Sequence, residues 1–299
     1  MRLMLRLSSV RKKAKYRECN MGIVDSVIIG NLNALIERIE DLFDSDAVSV
    51  YGSLDQRIEN PFFSTVDDLV GNGKKNGNLT VILTTYGGSA ETVDRLVKIV
   101  RHHYKNVNFI IPDYAYSAGT IFCMSGNNIY MDYYSILGPI DPQVKNRDGK
   151  WLPALGYLDK INELIKKANL NTISKPEFLM LKEFDLAELR SYEQAKEFAI
   201  SLLREWLATY KFENWNVANE QKVLRADEIA NALSDNSLWL SHGRPIDIHQ
   251  LRKLQLKIED FGEDKDKSSA IRTYYALLAD YTNKYGLTMT IHTKGVFVQ

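Results

Sequence analysis

Apolar positions recur at helical spacing from Ile28 to Phe43, with Ile29, Leu32, Leu35, Ile36, Ile39 and Leu42 between them, and a β-branched stretch follows from Ala47 to Tyr51. This pattern predicts a helix and then a strand. Residues Asn78 to Thr85 (NLTVILTT) read as a buried strand that ends at Gly87 and Gly88. Ala90 to Tyr104 then carry Val93, Leu96, Val97 and Val100 on one helical face, which completes a βα unit. A second unit follows, with Val107 to Pro112 as strand and Ser117 to Ser125 as a short apolar helix, and Ile129 to Met131 read as a further strand. Strands alternating with helices predict an α/β fold with a mostly parallel sheet.

Beyond Pro153 the pattern changes. Ala154 to Ala168, Tyr192 to Tyr210, Ala226 to Leu233 and Ser268 to Tyr285 are amphipathic at helical period, so the second half is expected to be mainly helical. The stretch DKDKSS, Asp264 to Ser269, is the most linker-like. The expected organisation is therefore a basic N-terminal segment over 1–20, one main α/β domain over 21–262 and a helical C-terminal arm over 263–299.

Composition narrows the function. The chain has 299 residues, 45% hydrophobic and 25% charged, as an ordered globular protein does. Thirty-eight basic residues balance 38 acidic ones, which argues against a nucleic-acid partner and favours small or peptidic substrates. Two cysteines, Cys19 and Cys123, are too few for a disulfide framework and fit a reducing cytoplasm. The start of the chain alternates apolar residues with Arg and lacks the apolar core of a signal peptide, and no stretch reaches the roughly 18 apolar residues of a membrane span. No His, Cys, Asp and Glu cluster has metal-ligand spacing, and YGGSAE is not a dinucleotide fingerprint, so neither metal nor cofactor is expected.

The candidate chemistry lies in one device used twice. One strand runs into TTYGGSAE and the next into DYAYSAGT, each placing small residues at a helix N-terminus where backbone N–H groups are unpaired. Two such ends side by side can hold a developing oxyanion, with Ser117 as nucleophile and donors from Gly87 or Gly88 and from Ala118. Read singly, Ser117 is a helix cap and Gly87-Gly88 a tight turn. Read together, and followed by SILGPID, they resemble the ClpP/crotonase superfamily of serine peptidases. The nearest resemblance is to the signal peptide peptidase A branch and its soluble relatives, the serine dehydrogenase proteinases.

The resemblance is strongest over Val81 to Val144, where TTYGG, YSAGT and SILGPID stand for the Gly-Gly oxyanion loop, the nucleophile turn and the Ser-Ile-Xaa-Gly-Xaa-Ile segment. It implies a ClpP/crotonase-like fold of stacked βα units, peptide or protein substrates and assembly as a homo-oligomer. One departure is Tyr86, where proline is usual.

A serine hydroxyl needs a base. No histidine lies in Leu137 to Pro142, where the ClpP-type triad would supply one. The resemblance to the signal-peptide-peptidase branch points instead to a lysine on a downstream helix, and Lys160 stands 43 residues after Ser117 in LDKINELIKK. Lys145, Lys166 and Lys167 are weaker alternatives. His242 in WLSHGRPID is the one histidine considered as a base from afar, and Asp141 in GPID could orient a base or simply serve a turn. The expected function is thus a serine endopeptidase with a Ser117–Lys160 dyad. The alternatives are a crotonase-like acyl-CoA enzyme, for which only Glu91 and Asp113 are near enough to serve, and a catalytically decayed oligomeric scaffold.

Overall fold

The computed structural model describes residues 22–71, 76–141, 143–145 and 151–299. The basic segment 1–20 lies outside the described residues. Helix α1 (Ile23–Phe43) leads into strand β1 (Asp46–Gly52), and α2 (Gln56–Gly71) into β2 (Asn78–Thr84). The chain continues through α3 (Ala90–His103), β3 (Asn106–Ile110), β4 (Tyr114–Ala115), α4 (Ala118–Met124), β5 (Asn128–Met131) and β6 (Ile136–Leu137). A hairpin of β7 (Gln143–Lys145) and β8 (Trp151–Pro153) opens the helical half. That half comprises α5 (Ala154–Asn169), α6 (Lys175–Lys182), α7 (Leu186–Trp206) with a π-helical turn at Leu207–Lys211, α8 (Asn219–Leu233), α9 (Asn236–Trp239) and α10 (Ile248–Lys253). The two-residue β9 (Glu259–Asp260), α11 (Lys265–Tyr285), β10 (Met289–Thr293) and β11 (Val296–Val298) close the chain.

Seven strands form one sheet in the order β11-β10-β1-β2-β3-β5-β9. β1, β2, β3, β5 and β9 run parallel, and β10 and β11 add antiparallel strands at one side. Both faces are covered, as parallel sheets require. Val81 and Leu83 point into the larger core, which α2, α3, α4, α7 and α8 complete. Ile82 between them points to the opposite core, shared with Leu32, Ile36 and Ile39 of α1 and Ile271, Tyr274 and Leu278 of α11. The period-2 alternation of strand side chains thus feeds two layers at once.

The α/β class, the parallel sheet and the mainly helical second half agree with the sequence reading. The segment 263–299 differs. It is not an arm: α11 packs on α1, and β10 pairs with β1 from Ser49↔His292 to Gly52↔Met289. Arg272 of α11 also binds the buried carboxylate of Asp132, so this segment completes the main domain. The strand MTIHT was obscured by its shortness and its polar residues, yet Ile291, His292 and Thr293 are all buried once it pairs. Helix α2 was also unforeseen, since Pro61 lies inside it.

A second, shorter line of pairings runs beyond the ends of the main strands. Thr85 bridges Ala115 of β4, β4 pairs with β6, and Leu137 of β6 bridges Ile246. These pairings link four segments distant in sequence, and the candidate site is built on them.

Candidate active site

Thr85 and Ala115 hold the two small-residue turns together. The Thr85 N–H donates to Tyr114 O and the Tyr116 N–H to Thr85 O, both at 3.0 Å. Ser117 follows with φ 51° and ψ −115°, a conformation that is strained for any residue but glycine. The turn is fixed by the Gly119 N–H donating to Tyr116 O at 2.8 Å and the Ile121 N–H to Ser117 O at 3.1 Å. Gly119 has no room for a side chain: a Cβ there would lie 2.4 Å from Thr85 Cγ2. Serine is a common helix cap, but the Ser117 hydroxyl makes no capping hydrogen bond to α4. The strained turn instead leaves it half-buried at the wall of a cleft.

The Gly87-Gly88 loop is equally constrained. Gly87 (φ 109°) and Gly88 (φ 159°) both have positive φ. A Cβ on Gly87 would stand 3.1 Å from that of Ser117, and one on Gly88 would strike Leu54 O at 2.2 Å. These glycines are needed for close backbone approach. The Gly87 N–H donates to Thr85 Oγ1 at 2.9 Å and is thereby occupied. Among the described residues, the N–H groups of Gly88 and Ala118 have no such partner. Of the three predicted donors, then, Gly88 and Ala118 are the pair available to an oxyanion, and Gly87 supports them.

The segment SILGPID is anchored beneath the Ser117 turn. The Thr120 hydroxyl lies 2.9 Å from Ala115 O and accepts from the Gly138 N–H at 3.0 Å. A Cβ on Gly138 would collide with Tyr116 Cδ1 at 2.4 Å. Leu137 exchanges backbone hydrogen bonds with Ile246 at 3.0 and 2.9 Å, and the Ile140 N–H donates to Leu233 O at 3.1 Å. These bonds bring the loop carrying His242 against the end of GPID. There His242 Nδ1 hydrogen-bonds Asp141 Oδ1. The Asp141 carboxylate is buried and His242 is about 25% exposed.

Ser117, Ala118, Gly88 and His242 line one cleft of about 590 Å³. Ile121, Ile140, Phe198 and Ala199 give it an apolar wall, and Glu91 and Asp55 stand on its polar side. Asp55 is held low, at about 2, chiefly by hydrogen bonding to Arg57, while Glu91 accepts from Ser89 Oγ at 2.6 Å. Asp113 does not line the cleft and accepts from the hydroxyl of Tyr275. Tyr86, at the usual proline position, is 75% exposed and stacks on Tyr116 and Tyr114.

Lys160, expected as the base, does not join this group. It lies on the exposed side of α5 with Nζ 2.8 Å from Glu163, and it does not line the cleft. Ile161 and Leu164 are the buried residues of its helix. Lys167 is engaged by Glu163 and Glu177, Lys166 is exposed, and the side chain of Lys145 lies outside the described residues. The structure therefore gathers Ser117, Gly88, Ala118, His242 and Asp141, and leaves Lys160 out. The Asp141–His242 contact spans 101 residues; the sequence offered each residue singly as a candidate, with no signal that pairs them.

Among the described residues, no helix is long and apolar enough to cross a membrane. The chain is similar to two uncharacterized proteins of Methanocaldococcus jannaschii. MJ1495 is 24% identical over 214 residues, covering 72% of this chain and 60% of that protein. MJ0137 is 25% identical over 185 residues, covering 62% and 54% respectively. The chain thus spans less than two thirds of the length of either relative. Similar solved structures include the 1510-N membrane-bound stomatin-specific protease with a substrate peptide, at 14% identity, covering 69% of this chain and 77% of that one, with a TM-score of 0.40. Another is ClpP1 from Listeria monocytogenes, at 12% identity, covering 80% and 95%, with a TM-score of 0.40. The sequence pattern of the ClpP-like SDH-type serine proteinases matches residues 70–265, more than half of the chain, and the chain belongs to that family.

Proposed function

We propose that the chain is a serine endopeptidase in which Ser117 is the nucleophile, His242 the general base and Asp141 the group that orients it. The observation carrying this reading is the Asp141–His242 hydrogen bond at the cleft that also holds Ser117 and the free N–H groups of Gly88 and Ala118. An ionised Asp141 only accepts, so Nδ1 of His242 carries the proton and Nε2 is left as acceptor. Nε2 takes the Ser117 proton as Oγ attacks the peptide carbonyl, and the negative charge on the former carbonyl oxygen is met by Gly88 and Ala118. His242 returns the proton to the leaving amine, which departs and leaves an ester on Ser117. Water, deprotonated by the same nitrogen, then releases the acid. The apolar wall of Ile121, Ile140, Phe198 and Ala199 favours an apolar side chain next to the cut bond.

Peptide or protein substrates and self-assembly belong to the same reading. Exposed apolar residues on α6, Phe178, Leu179 and Met180, suit a subunit contact. A crotonase-like acyl-CoA reaction is less well supported, because Asp113 does not line the cleft and bonds Tyr275, while Glu91 is engaged by the Ser89 hydroxyl.

The test is intact mass after treatment with a fluorophosphonate, alongside cleavage of unfolded casein. Wild type should gain one adduct and cleave; Ser117→Ala and His242→Ala should do neither. Labelling and cleavage by His242→Ala at the wild-type rate would overturn the assignment of the base.

A further inference from the structure

The Ser117 cleft opens beyond the C-terminal ends of the parallel strands. A second cavity of about 540 Å³ lies at their other end, beside Asn106 and Asn128, the first residues of β3 and β5. Lys211, Arg225 and Lys257 line it, and none of its described lining residues is a carboxylate. Phe212 and Trp215 form an aromatic wall, their ring centroids 5.4 Å apart.

The three cations differ in how far their charge is already met. Arg225 pairs with Glu228 at 2.6 Å and Lys257 with Glu259 at 2.7 Å. Lys211 Nζ donates to the carbonyl of Asn127 at 3.3 Å and, among the described residues, makes no ion pair within 4 Å. Glu213, the remaining nearby acid, accepts instead from the Asn127 amide. Burial draws the Lys211 ammonium down to about 8, the charge of Glu259 offsetting part of that effect, and it stays largely protonated at neutral pH.

Local backbone geometry also singles out this place. Tyr210 and Lys211 stand on the π-helical turn Leu207–Lys211, a departure from regular helix that recurs at functional sites. Arg101 lies 3.8 Å over the Tyr210 ring and holds the turn down. The turn continues α7, but the cavity shares no lining residue with the Ser117 cleft.

We propose that this cavity is a second binding site, taking a small organic anion with a planar body. The anionic group meets the ammonium groups of Lys211 and Lys257, and the planar body lies against Trp215 and Phe212. The site is independent of the peptidase reading.

The test is calorimetric titration of the full chain with phenyl phosphate and with inorganic phosphate. Phenyl phosphate is expected to saturate one site and to bind more tightly than inorganic phosphate. Lys211→Met should weaken both by roughly tenfold or more, the worth of a charge-assisted hydrogen bond. Trp215→Ala should weaken only phenyl phosphate. Lys257→Met alters a side chain 78% exposed, so it should fold normally and should also weaken both ligands, which keeps the test decisive if Lys211→Met does not fold. Absence of saturable binding to folded wild type, or equal binding by wild type and all three variants, would overturn the proposal.

Discussion

His242 and Asp141 are hydrogen-bonded across 101 residues of chain, from a loop after α9 to the end of GPID. The contact exists because Leu137 and Ile246 exchange backbone hydrogen bonds, which aligns the two segments before either side chain is considered. Asp141 Oδ2 has no hydrogen-bond partner among the described residues, so the buried carboxylate is directed almost wholly at His242.

In the proposed mechanism, Asp141→Asn removes the charge that holds the His242 tautomer and leaves the shape intact. Acylation of Ser117 by a fluorophosphonate should slow by roughly 10³- to 10⁴-fold, with unchanged thermal unfolding. Lys160→Ala removes only an exposed ion pair, and its rate should stay within about twofold of wild type. Stopped assays on both variants separate the two bases, since a lysine-dependent enzyme would show the reverse order.

The strain at Ser117 predicts a trade between stability and activity. Glycine adopts φ 51°, ψ −115° without side-chain clash, whereas alanine is as strained there as serine. Both substitutions should abolish labelling, but Ser117→Gly should be about 1 kcal/mol more stable than Ser117→Ala. Urea unfolding of the two inactive variants measures the difference directly. Equal midpoints would mean that the turn is not held against a conformational cost.

The Arg272 guanidinium reaches from α11 to Asp132, whose carboxylate is 2% exposed, and to the carbonyl of Pro112. Arg272→Met leaves that buried charge without its cation and should cost about 3–5 kcal/mol. For the same reason, a chain ending at residue 262 should not fold, because it also loses β10 from the sheet. Circular dichroism and urea melts of both would decide this, and a folded, stable truncation would restore the view of 263–299 as a dispensable arm.

His292 is buried between Tyr274, whose hydroxyl is 2.8 Å from Nδ1, and Asn33, whose Oδ1 is 3.1 Å from Nε2. Burial lowers its pKa to about 4, against about 6.5 in an unfolded chain. Between those values the unfolded chain binds a proton that the folded chain refuses. Stability from this residue is therefore complete above about pH 6.5 and falls by roughly 3 kcal/mol as pH drops to about 4. His292→Gln cannot titrate. The stability difference between wild type and this variant should change between pH 7 and pH 5 and stay flat between pH 7 and pH 8.

What the sequence determined by itself was local. The strand ending at Thr84, the Gly87-Gly88 turn, the Ser117 helix start and SILGPID were all legible, because short-range sterics and hydrophobic period fix them within a few residues. The family pattern is carried by those same stretches. The base proposed for Ser117 was not legible in this way. Lys160 was favoured for its spacing along the chain, yet spacing does not say which face of α5 is buried, and packing against α7 buries Ile161 and Leu164 rather than Lys160. His242 enters the cleft through pairings of segments about a hundred residues apart, and those depend on the closing of the whole domain. The same holds for β10, a short and half-polar strand that becomes one only when β1 offers it an edge. Local sequence sets which turns can form, and tertiary packing alone decides which side chains meet there, since their approach depends on contacts that no single segment contains.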